Sequence, residues 1–256
     1  MAVPSFIYSS SIVYDTSVPY SVTPYMGTHQ AGDILIIGAY NSRGYVMTTA
    51  TEGWTRIDRI TGTADFDWYW KRATGSGTAG ATITSGSYNL YAIGSVFRVC
   101  ITTGTPYENA TTTSGNTTTP ASMEIDTTDI DRLVVCLSIM ADNNAWSTSP
   151  PPANWTLDSN KNTSGGTDAT FTLISKEEAS DTTVAAANVG ISPAAERWGT
   201  LTLALIPAPA AEGTNMQINI GDVWKEVPAI KINIGDVWKD VVSVQQNIGD
   251  TWKEVF

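Results

Sequence analysis

Residues 31–40 read AGDILIIGAY, and residues 129–139 read DIDRLVVCLSI. Both are apolar runs of strand length, flanked by turn residues and too short for a helix buried all round. Three further matches follow in the same order. Gly53-Trp54-Thr55 answers Asn154-Trp155-Thr156, Phe66-Asp67-Trp68-Tyr69-Trp70-Lys71 answers Phe171-Thr172-Leu173-Ile174-Ser175-Lys176, and Gly94-Ser95-Val96 answers Gly199-Thr200-Leu201. With Asp33 set on Asp131, the offsets are 98, 101, 105 and 105, a course that short loop insertions explain. An ordered series of this kind predicts a duplication, with copies at about 20–101 and 120–206 inside a body of residues 1–206. The Thr-, Ser- and Asn-rich stretch 102–120 reads as the link between them. Gly, Pro, Asn and Thr clusters punctuate short strands throughout, and no amphipathic helix stands out. The expected fold is all-β: a jelly-roll-like β-sandwich built from a duplicated half.

A stricter repeat closes the chain. Asn-Ile-Gly-Asp-x-Trp-Lys starts at Asn219, Asn233 and Asn247, a period of 14 residues. Gly-Asp between β-branched residues is a two-residue hairpin turn. It sets Ile220 opposite Val223 and Asn219 opposite Trp224, and aligns Trp224, Trp238 and Trp252 on one face. The expectation is a C-terminal β-meander over 214–256, set off by the linker 207–213, PAPAAEG. So small a meander has open edges and needs a partner surface. A ladder zipping identical chains together is preferred over a glycan platform for the three tryptophans.

Composition narrows the chemistry. Hydrophobic residues at 42% suffice for a core, while charged residues at 15% fall well below the roughly 25% usual in soluble domains. The net charge of −11 opposes binding to nucleic acid phosphate. No run reaches the length of a membrane helix, and MAVPSFIYSS lacks the basic and apolar regions of a secretory signal. The single histidine, His29 in a polar turn, reads as a surface residue, which leaves no His-based zinc site and no Ser–His pair. Cys100 and Cys136 sit in apolar runs and read as buried thiols.

Other motifs yield to plainer readings. Gly75-Ser76-Gly77-Thr78-Ala79-Gly80 fits GxGxxG but runs on into Ala81-Thr82-Ile83-Thr84, strand rather than helix, so a hairpin loop is expected. The acidic stretches Asp126–Asp131 and Asp142-Asn143-Asn144 lack calcium-loop spacing and read as turns. Asp65 and Asp67 share a strand face, as a glycosidase pair would, with no pattern around them to support catalysis. Opposite them, Phe66, Trp68 and Trp70 share the other face. Phe66 and Trp68 map onto apolar residues and read as core, whereas Trp70 maps onto Ser175 and is the candidate for an edge indole stacking on a sugar, packing being the competing role. No catalytic residue, metal or cofactor is expected.

The body run AGDILIIGAY…EGWTRID…FDWYWKRAT with its second copy resembles β-rich virion proteins of tailed bacteriophages, and INIGDVWKEV, INIGDVWKDV and QNIGDTWKEV resemble short repeats at the ends of phage tail-associated proteins. The resemblance implies a non-enzymatic structural protein, made in the host cytoplasm and displayed on the virion. It implies a homo-oligomer, a trimer by preference, touching other virion proteins and, in a tail fibre or adhesin, a host-surface glycan. Tail-associated host attachment is the first expectation, with capsid decoration or head fibre next and a carbohydrate-binding module third.

Overall fold

The computed structural model describes residues 3–49, 51–141, 151–163, 169–190 and 194–209, and the backbone of short strands between 216 and 254. The chain divides into two compact units, Met1–Ala208 and Pro209–Phe256. Among the described residues every regular element is a strand.

The first unit opens with β1 (Ser5–Ser9), β2 (Val13–Asp15), β3 (Tyr20–Val22), β4 (Ile34–Asn41), β5 (Met47–Thr49), β6 (Thr55–Ile60), β7 (Asp65–Arg72), β8 (Ile83–Ser85) and β9 (Leu90–Arg98). It continues with β10 (Tyr107–Thr117), β11 (Ile125–Thr127), β12 (Arg132–Met140), β13 (Thr156–Asn162), β14 (Thr170–Glu178), β15 (Thr182–Val184) and β16 (Glu196–Leu205). One large sheet has the order β1-β9-β4-β7-β6, with β2 continuing β1 along β9; the other has the order β10-β16-β12-β14-β13. Beside them lie two small sheets, β3-β8-β5 and β11-β15. Counting β1 and β2 as one broken strand, the first half places its first, last, third and sixth strands in one sheet and its second, seventh and fourth in the other. That is jelly-roll connectivity, except that β6 pairs with β7 and so extends the large sheet.

Each half supplies a large sheet and a small one, giving four layers. The central strands explain why: all eight residues of β4 and all nine of β12 are buried, so each large sheet needs cover on both faces. Between the large sheets, Ile34, Ile36, Phe66 and Trp68 meet Leu137, Ile139, Phe171 and Leu201 in one core. On the outer face of the first sheet, Leu35, Ile37 and Val96 pack under Val22, Met26, Met47 and Ile83. On the outer face of the second, Val134 and Ala204 pack under Ile125 and Val184. Each fully buried aliphatic or aromatic side chain contributes about 1.5–3 kcal/mol. The sheets come close enough that a Cβ on Gly199 would lie 2.5 Å from Cγ of Phe66.

The strand orders run in opposite directions across this interface. Edge strand β6 lies over β10, where Thr112 Oγ1 donates to Asp58 Oδ2 at 2.6 Å, while Ser159 on β13 bonds Ser9 on β1 at 2.9 Å. A twofold-related pair of jelly rolls would have this arrangement.

Two expectations about the halves are corrected. The polar link 102–120 contains β10, an eleven-residue edge strand on β16, so the second half begins at Tyr107 and the first at Ser5. Its β-branched threonines suit an edge, where one ladder and a half-exposed face suffice. The alignment of the halves also shifts. Ile34 pairs with Phe97 and Arg72, Leu133 with Leu205 and Glu177, and both Ile34 and Leu133 face the shared core. Ile34 is therefore the counterpart of Leu133, and Phe97 of Leu205. The letter-matched pairs Leu35–Leu133 and Gly94–Gly199 join residues of opposite faces, since a one-residue slip inverts a strand.

In the second unit β17 (Met216–Ile220) pairs with β18 (Val223–Val227), β19 (Lys231–Ile234) with β20 (Val237–Asp240), and β21 (Gln245–Ile248) with β22 (Thr251–Glu254). Among the described residues no ladder joins one pair to the next, so three two-stranded sheets stand where a continuous meander was expected. A two-residue turn fixes pairing within a hairpin and says nothing about pairing between hairpins.

Candidate functional site

The aromatic strand β7 separates its residues by face. Phe66 and Trp68 are buried in the core between the sheets. Trp70 is half-buried against the same core and meets Tyr107 edge to face, centroids 6.4 Å apart at 86°. Its indole is engaged by the start of β10.

On the other face Asp67 is 0% exposed. Arg59 Nε and Nη2 donate to its two oxygens at 2.7 and 2.5 Å, Tyr69 Oη donates at 3.1 Å, and Arg56 Nε lies 3.4 Å away. Arg59 Nη2 also donates to the Met47 carbonyl, tying β6 and β7 to β5 of the small sheet. Asp65 is 1% exposed; Oδ1 accepts the Gly62 N–H at 3.1 Å, and Oδ2 has no protein partner. Burial raises its pKa. This pair is sealed in the fold, with Asp67 held by guanidinium groups, whereas a glycosidase pair flanks an open cleft.

His29, expected at the surface, is 4% exposed. The Thr78 N–H donates to Nε2 at 3.1 Å, and Nδ1 lies 3.0 Å from the Gly27 carbonyl. The imidazole thereby pins the 75–80 loop, which is a turn between β7 and β8 and not a helix start. Cys100 and Cys136 are free and buried. Burial pushes the Cys100 thiol up to about 12 and raises that of Cys136 as well, which favours the protonated thiol in both. In the acidic turn, Asp126 accepts from Thr183 at 2.6 Å, and Arg132 joins Asp129 at 3.7 Å and Glu108 at 3.1 Å. Asp142-Asn143-Asn144 lies outside the described residues.

Trp224, Trp238 and Trp252 take the same register position in three separate ladders, opposite Asn219, Asn233 and Asn247. Trp70 belongs to the first unit and the three tail tryptophans to the second.

A cluster that sequence reasoning missed lies at one end of the first jelly roll. The buried side chain of Asn41, at the end of β4, donates from Nδ2 to Ser85 Oγ at 2.9 Å and to the carbonyls of Ser87 at 2.9 Å and Tyr88 at 3.3 Å. Its Oδ1 accepts the N–H of Arg43 at 3.1 Å and of Tyr45 at 3.4 Å. One satisfied amide thus clamps the 42–46 loop to the 86–89 loop. Gly44, at φ +70°, abuts the Gly62 carbonyl where any Cβ would collide, and so brings in the 61–64 loop. Tyr88 is held at φ +61°, strain that persists only where the surroundings dictate it. Its ring stacks with Tyr45 at 5.4 Å and 28°. Arg43 lies 4.4 Å over the Tyr88 centroid and donates to Tyr88 Oη at 3.2 Å. Tyr45 is 43% and Val46 58% exposed. No spacing in the chain connects residues 41–46 with 85–88; the β4–β9 and β5–β8 pairings join them.

No protein-family model matches this chain, and comparison with curated proteins and with solved structures finds no match.

Proposed function

We propose that this chain is a non-enzymatic structural protein of a bacteriophage particle, displayed on the virion surface and tail-associated, where it takes part in host attachment. The observation that carries this reading is the second unit. Three copies of one short hairpin, each a two-stranded ladder with no further pairing among the described residues, have too little backbone pairing to stand alone in water. A repeated element of that kind suits assembly with copies of itself, in a homo-oligomer for which the phage resemblance favours a trimer, or with neighbouring virion proteins. The body supports the same reading. Its jelly-roll connectivity is common in capsid and lectin domains, and its polar residues are sealed inside for structural ends, as with Asp67. Capsid decoration or head fibre is the second placement on the particle.

Gold-labelled antibody against the chain, applied to intact particles from the source lysate, tests the proposal by electron microscopy. Label at the tail is the expected result. Label over the head selects decoration, and unlabelled particles overturn the virion reading.

A further inference from the structure

We infer that the Arg43–Tyr45–Tyr88 cluster binds a carboxylated sugar, a single uronic- or sialic-type residue, with the ring face on Tyr45 and the carboxylate on Arg43. Four observations carry this. Tyr45 is exposed at a loop tip although its ring is already stacked on Tyr88, so a large rigid surface faces solvent at little entropic cost. Arg43 is exposed and forms no ion pair among the described residues, in a chain of net charge −11 whose Arg59, Arg98 and Arg132 all hold carboxylates. Its stacking on Tyr88 fixes the guanidinium and leaves further N–H groups to grip a planar anion from two sides. Finally, the Asn41 clamp and the left-handed Tyr88 hold both loops in place before any ligand arrives.

Size and charge select the ligand. Exposed Tyr45 and Val46 with the Tyr88 edge make a patch far below the roughly 800 Å² per partner of a stable protein interface. One pyranose matches it. A dense polyanion is opposed by the net charge, whereas a single carboxylate needs one cation, which Arg43 supplies.

The test is saturation-transfer NMR with titration of the full chain by methyl β-glucuronide and methyl β-glucoside. The expected result is glucuronide binding about tenfold tighter than glucoside, the worth of one charge-assisted bidentate contact. Arg43→Gln removes that preference. Tyr45→Ala, at an exposed position, removes saturation transfer to the sugar ring protons with the near-ultraviolet circular dichroism band of the core unchanged. Equal affinity for the two glycosides, a preference that survives in Arg43→Gln, or no transfer to either glycoside overturns the inference. The measurement uses the purified chain and the gold labelling uses particles, so the glycan site and the virion reading fail independently.

Discussion

The two large sheets solve one packing problem with different chemistry. In the first, β6 carries a bulge between Arg56 and Asp58, and Arg59 just beyond it faces Asp67 on β7. In the second, β13 carries its bulge between Leu157 and Ser159, and Asn160 just beyond it faces Thr172 on β14. The first position holds a buried ion pair that reaches on to the Met47 carbonyl, whereas the second holds a neutral bond from Thr172 Oγ1 to Asn160 Oδ1 at 3.3 Å. The shared bulge shows that backbone geometry, and not the identity of the polar pair, sets the shape of this corner. The charge serves a local need, joining the large sheet to β5.

The comparison breaks most readily at Asp67. Asp67→Ala leaves two guanidinium groups facing an empty carboxylate site and is expected to cost about 3–5 kcal/mol in urea unfolding. Thr172→Ala at the matching position is expected to cost about 1 kcal/mol. Equal losses would mean that the pair in the first half carries no special weight. Between the halves, Gly199→Ala forces Phe66 aside and is expected to cost about 1–3 kcal/mol, read from the same transitions. Gly38→Ala, whose Cβ would stand 3.2 Å from Ile139, should cost less. Transplanting the neutral pair as Arg59→Asn with Asp67→Thr is expected to recover most of what Asp67→Ala loses. If the double variant is no better than the single one, the two corners are not interchangeable.

The smallest effect is a pH dependence. Asp65 and Asp158 each have a buried, unpartnered Oδ2, and burial raises both pKa values from 3.8. A raised carboxyl pKa means the folded chain holds its proton more tightly than the unfolded chain. The resulting penalty is present in full above the folded pKa and fades as pH falls through it toward 3.8. Asp65→Asn and Asp158→Asn should therefore be more stable than the parent at neutral pH, the gap closing in acid. A gap that widens in acid would reverse the assignment.

Much of the strand framework was legible because apolar runs and turn residues alternate without ambiguity. The faces of β7 followed from period two alone: Phe66 and Trp68 inward to the shared core, Asp67 and Tyr69 to the opposite side. The alignment of the halves was misread because Gly94 was matched to Gly199 by letter, although one lies beside Met26 and the other beside Phe66. β10 was hidden by its composition, since Thr and Ser describe an edge strand and a linker equally well. His29 was misplaced because its partner Thr78 is 49 residues away. The tyrosine cluster needed the β4–β9 pairing before Asn41 could reach Ser87.

The opposed strand orders of the two large sheets have a further consequence. A dimer of identical jelly rolls would repeat every substitution on both sides of its axis. Here the two opposed sheets belong to one polypeptide, so a substitution on one side is not repeated on the other. A change at Arg43, Tyr45 or Tyr88 therefore falls on one half only, so a scaffold of two opposed sheets can carry a different surface on each side.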